Sequence, residues 1–122
     1  LTTMMADKKI LKIKGNEYEV SFPNVGQFYQ IEAMKQNLAR GYYNVMMSSP
    51  SAAAQQALDM IDVEATLTIL CPKLISDLKV KNFSELGILD YKVIFDEYRK
   101  QVVPFFNEIQ KLLSGGDDLK TE

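Results

Sequence analysis

A chain of 122 residues, 47 % apolar and 25 % charged, has the length and make-up of one globular domain with a single core. Histidine is absent, cysteine occurs once and the formal charge is −2. These values exclude an imidazole base, a Ser-His or Cys-His nucleophile pair, the common zinc sites and an internal disulfide, and they leave no basic footprint for nucleic acid.

Residues 1–7 are expected to form a flexible N-terminus. The first residue is Leu1, which is read either as extra residues ahead of a natural start at Met4 or Met5 or as the mark of a processed chain. No apolar run follows a basic one there, so no secretory signal is expected. A single α+β domain is predicted over residues 8–113, with a flexible tail over 114–122.

Lys9 to Lys14 is a β-rich run, and Gly15-Asn16 is a good two-residue hairpin turn. Glu17 to Phe22 then alternates strictly: Tyr18, Val20 and Phe22 share one face, while Glu17, Glu19 and Ser21 share the other. That pattern predicts a hairpin with one buried and one wet side. Pro23 ends the second strand. Asn24 with Gln27 three residues later is a capping-box signature, and the helix that follows is expected to stop at Gly41. Phe28, Ile31, Met34 or Lys35, and Leu38 form its apolar stripe. The stretch from Tyr42 to Ser48 is apolar without an obvious regular pattern.

Ser49-Pro50 reads as the N-cap and first residue of a second helix, to about Leu70. One of its faces carries Ala54, Leu58, Ile61, Ala65 and Ile69. A second face, nearly opposite, carries Met60, Val63, Leu67 and Leu70. Such a helix is either central in its own core or offers one face to a partner. Cys71-Pro72 re-aims the chain into a short helix to Leu78. Asn82 to Glu85 has capping-box spacing again, closed by Gly87. Asp90 is expected to cap the last helix, whose stripe of Tyr91, Phe95, Tyr98, Val102, Phe105, Ile109 and Leu112 recurs at spacings of 4, 3, 4, 3, 4 and 3. Pro104 lies inside that helix and should kink it. The fold class is therefore mainly α: an N-terminal antiparallel β-hairpin followed by a bundle of three long and one or two short helices.

Candidate chemistry is thin. Asp59 and Asp62 share a helix flank and, with Glu64, would suit a divalent metal or an acid–base pair. No third ligand such as His is at hand, so a solvated flank is the simpler reading. Asp96 and Lys100 are spaced for a surface ion pair. Cys71 has no base beside it and reads as a buried structural thiol. The glycines are scattered and form no phosphate-cradling loop. Lys8, Lys9, Lys12 and Lys14 face Glu17 and Glu19 across the hairpin, which makes a balanced wet face. No catalytic residue, metal site or cofactor is expected. The longest apolar stretch, from Leu58 to Cys71, contains Asp59, Asp62 and Glu64, so no membrane span is expected either.

Contact residues are plentiful instead. Tyr42, Tyr43, Met46 and Met47 crowd one short stretch, and Met and Tyr suit adaptable contact surfaces. Met60, Val63, Leu67 and Leu70 would form a second surface. Phe106 points about 100° away from Phe105 on one helix and needs a surface of its own.

The order of these segments resembles that of small phage structural proteins, in particular the tail assembly chaperones of long-tailed phages. The residues that carry the resemblance are Phe22-Pro23-Asn24-Val25-Gly26-Gln27, Arg40-Gly41-Tyr42, Ala57 to Asp62 running into Leu70-Cys71-Pro72, Leu78-Lys79-Val80, Phe83 to Leu86, and Tyr98 to Phe106. The resemblance spans residues 8 to 113 and rests on packing motifs. It implies a non-catalytic protein of the host cytoplasm that coats the apolar surface of the tape-measure protein during tail assembly. It brings no catalytic residues with it. The alternative is a structural virion subunit, a tail or baseplate component, forming permanent oligomeric contacts. Either way the expected partner is protein, including a second copy of the chain, and neither nucleic acid nor membrane.

Overall fold

The computed structural model describes residues 8–41, 43–48 and 51–114. An antiparallel hairpin, β1 (Lys8–Ile13) and β2 (Asn16–Ser21), leads into helices α1 (Val25–Leu38), α2 (Tyr43–Ser48), α3 (Ala52–Leu70) and α4 (Pro72–Leu78). A 3-10 turn at Phe83–Glu85 precedes α5 (Ile88–Glu97), a π-helical turn (Tyr98–Val102) and α6 (Val103–Ser114). The fold is α+β and mainly helical, as the sequence pattern predicts.

The hairpin turn differs by one residue from the expected one. Ile13 pairs with Asn16, so the loop is Lys14-Gly15, with φ of 52° and 82°. Two successive left-handed residues match the right-handed twist of the strands, and glycine adopts that conformation without steric cost. This register turns Leu11, Ile13, Tyr18 and Val20 inward, and all four are buried. The outer face balances charge, with Lys12 opposite Glu17 and Lys8 3.6 Å from Glu19. Lys9 lies on the inner face instead, its ammonium 5.7 Å above the Phe105 ring.

α1 starts as expected. Asn24 Oδ1 accepts from the Gln27 amide at 2.8 Å, and Gln27 Oε1 accepts from the Asn24 amide at 3.0 Å. The helix ends at Leu38, and Arg40 and Gly41 both take positive φ beyond it. Residues 43–48, expected to be irregular, form the short helix α2. α3 begins later than expected: Ser51, not Ser49, is its N-cap, accepting from the Ala54 amide at 3.1 Å. The expected pairing of Ser49 and Pro50 lies outside the described residues.

The last helix also begins differently. Its N-cap is Gly87, which places Asp90 inside the first turn, where its carboxylate meets Lys14 Nζ at 2.7 Å. Asp96 pairs with Lys92, at 2.8 Å, rather than with Lys100. Immediately before Pro104 the coil widens: the Val103 amide donates to the Tyr98 carbonyl in the i→i+5 pattern. The wider turn moves backbone carbonyls away from the proline ring, so the helix passes Pro104 and runs on. It also resets the stripe. Ile94, Tyr98, Val102, Phe105 and Ile109 are the buried residues, while Tyr91 and Phe95 stack on each other at its margin, 5.5 Å apart.

The core lies between the hairpin, α3 and the last helix, with α1 and α4 closing its sides. α3 is its axis, contacted by α1, α2, α4 and β2. That decides the reading of its two apolar faces. Val63 and Leu67 are wholly buried, and so is Leu70 to within a few per cent. They are core residues and offer no surface to a partner. Thr66 is buried among them and accepts from the Tyr98 hydroxyl at 3.3 Å.

Candidate functional site: an apolar contact surface

The residues singled out in the sequence do not converge on one patch. Tyr42 lies outside the described residues. Tyr43 is half-buried and donates its hydroxyl to Asp62 Oδ1 at 2.7 Å, which ties α2 to α3. Burial, and then the hydrogen bond to Asp62, push the Tyr43 phenol well above its ordinary range. Lys35 completes this polar cluster, with its ammonium 3.0 Å from Glu32, 3.8 Å from Asp62 and 6.0 Å above the Tyr43 ring. Met46 is half-buried, whereas Val45 and Met47 beside it are exposed. Met60 is exposed and lines a hollow of about 550 Å3 with Ile61, Phe83, Ile88 and Tyr91. The walls of that hollow are mixed, including Arg40, Asn82 and Glu64. Phe106 finds its surface within the chain, stacked on Phe28 at 6.5 Å.

The carboxylates of α3 have structural partners. Glu64 Oε2 accepts from the Phe83 amide at 3.2 Å and Asp59 Oδ1 from the Gln55 side chain at 3.0 Å. Burial raises the Asp62 carboxyl, and the Lys35 charge and the Tyr43 hydrogen bond oppose it. Among the described residues no three His, Cys, Asp or Glu side chains are grouped to hold a metal ion. Cys71 is buried at the α3–α4 corner, and burial pushes its thiol upward, away from the nucleophilic thiolate. No helix of the described residues is long and apolar enough to cross a membrane.

The clearest apolar surface was not singled out in the sequence. The start of α1 and the end of α6 flank a groove of about 330 Å3. Its floor is Phe22, Phe28 and Ile109; its lips are Val25 and Tyr29 on one side, Leu112 and Leu113 on the other. Val25 is 72 % exposed, Tyr29 71 % and Leu113 65 %. Asn24 also lines it, but its side-chain oxygen is committed to the capping box. Two aromatic contacts hold the groove in shape: Phe28 on Phe106, and Phe22 edge-on to Phe105 at 5.2 Å. The sequence signal was faint. Val25 and Tyr29 are four apart and sit beside the Phe28–Ile31 stripe. Leu113 falls outside the heptad pattern that absorbed Leu112.

Comparison of the chain with family models, with curated proteins and with solved structures finds no match.

Proposed function

We propose that this chain is a non-catalytic protein-interaction module: a phage tail assembly chaperone that binds the tape-measure protein during tail assembly. The observation that supports it is the α1–α6 groove, where four large apolar side chains stand exposed around an apolar floor. Exposed apolar residues gathered on one patch mark contact sites, whereas scattered ones need no explanation. Each Val or Leu side chain taken from water contributes about 1.5–3 kcal/mol. A client segment with an apolar helical stripe can use that contribution without any charged group in the groove.

The test is coexpression with a fragment of a phage tape-measure protein, followed by copurification and titration. Association in the micromolar range is expected, and Val25→Asp with Leu113→Asp should weaken it at least tenfold. A folded chain that fails to associate removes the chaperone reading. A stable ring or larger assembly of the chain alone replaces it with the virion-subunit reading.

A further inference from the structure

The register of the hairpin decides which backbone groups of β2 face outward. The Lys14-Gly15 loop has positive φ at both residues, so Ile13 and Asn16 exchange hydrogen bonds across it. Bonded and non-bonded pairs alternate along an antiparallel ladder. Leu11–Tyr18 and Lys9–Val20 are therefore bonded pairs. Lys12–Glu17, Ile10–Glu19 and Lys8–Ser21 are non-bonded, and their N–H and C=O groups point away from the ladder. The far side of the hairpin agrees with this phase: the Lys12 amide donates outward, to Glu97 Oε1 at 2.9 Å. The last helix thus lies along the outer edge of β1. Among the described residues no third strand joins β2, and none bonds the outward backbone groups of Glu17, Glu19 and Ser21. All three residues are exposed. Such a row of unpaired donors and acceptors is a template for strand addition.

Charge decides which strand fits. Glu17 and Glu19 stand on the wet face at this edge, and the basic residues of that face, Lys8 and Lys12, belong to β1. Lys8 meets Glu19 at 3.6 Å from that inner side. A strand added to β2 lies about 4.8 Å from the Glu row and roughly 10 Å from the Lys row. The second distance exceeds the screening length of about 8 Å at physiological salt, so the carboxylates set the potential at the edge. Self-pairing of β2 centred on Glu19 sets that carboxylate opposite its own copy. Moved one step, the pairing sets Glu17 opposite Glu19. Like charges directly opposite destabilise a pair, and a basic strand reverses the sign.

We propose that the outer edge of β2 accepts an extended segment of a partner protein as a third strand, with Lys or Arg at the alternate positions opposite Glu17 and Glu19. Main-chain hydrogen bonds to the outward groups of these residues supply affinity, and the basic side chains supply selectivity. The edge shares no residue with the α1–α6 groove, so the outcome of its test is independent of the chaperone reading.

The experiment titrates the 15N-labelled full chain with a short synthetic peptide, Thr-Lys-Val-Lys-Val-Lys-Thr, followed by NMR and amide hydrogen exchange. Saturable binding is expected, with exchange of the Glu17 and Glu19 amides slowed tenfold or more. Glu17→Gln with Glu19→Gln should weaken binding several-fold. Glu19→Pro should abolish it, because that proline removes an outward N–H and no ladder bond. Methylating the peptide's backbone amides should abolish binding to the unsubstituted chain, which tests strand pairing without altering the protein. No binding of the basic peptide overturns the proposal. Binding that survives amide methylation overturns it too, as attraction of charge without a paired strand. Equal binding of a peptide with Glu in place of Lys removes the charge selectivity that the proposal requires. Protection of the Glu17 and Glu19 amides in the chain alone, rising with its concentration, would make a second copy the occupant and overturn it as well.

Discussion

Tyr98 is buried, with its hydroxyl on Thr66 and its phenol pushed up to about 12, chiefly by burial. The folded value lies above the ordinary 10.0. The folded state therefore keeps the proton longer than the unfolded chain does. The stabilisation is complete below pH 10 and is lost as pH rises towards 12, a change worth about 2–3 kcal/mol. Tyr98→Phe, which keeps the ring and removes the titration, should show a smaller loss of stability between about pH 9 and pH 11 in denaturant melts. Burial separates the residues of α3 in the same way. Leu67→Ala should cost about 2–5 kcal/mol, whereas Met60→Ala should stay within about 1 kcal/mol, compared by urea unfolding. Both residues lie on one apolar face in the helical pattern. Helical periodicity says which residues share a face. It does not say how many neighbouring elements cover that face.

At the scale of elements, local chemistry was legible wherever one side chain meets one backbone group. Asn24 and Gln27 form the capping box that their spacing predicts, and Asn24→Ala should lower stability by about 1 kcal/mol in thermal melts. Starts with competing or weak local signals were not legible. Ser48, Ser49 and Ser51 all lie near the start of α3, and Ser51 makes the bond. α5 begins at Gly87 without a side-chain cap, so the acidic Asp90 drew the expected start three residues too far along. The hairpin turn moved from Gly15-Asn16 to Lys14-Gly15 because the twisted ladder needs positive φ at both central residues. Gly15→Ala meets no atom within 4 Å, so its cost is conformational alone. It should be about 1–2 kcal/mol, read from the shift in the urea midpoint. The π turn ahead of Pro104 has no local sequence signature beyond the proline itself.

At the scale of the whole molecule, the groove depends on α1 and α6 being held side by side, which is the task of the Phe28–Phe106 stack. Phe106→Ala should cost about 2 kcal/mol or more and weaken client binding together with stability. Val25→Asp should weaken binding and leave the melting temperature nearly unchanged, because its side chain is exposed. Comparing the two variants by calorimetry and client titration separates support of the surface from membership of it.

The sequence by itself determined the fold class, the buried and wet faces of β2, the α1 cap and the turn at Cys71-Pro72. Each follows from interactions between residues close together in the chain. Tertiary structure alone decided that Val63, Leu67 and Leu70 are core and that Phe106 is satisfied from within. It also decided that the exposed apolar surface joins Val25 and Tyr29 to Leu113. These residues stand more than eighty positions apart. No periodicity links such positions; only the packing of α1 against the last helix brings them to one groove.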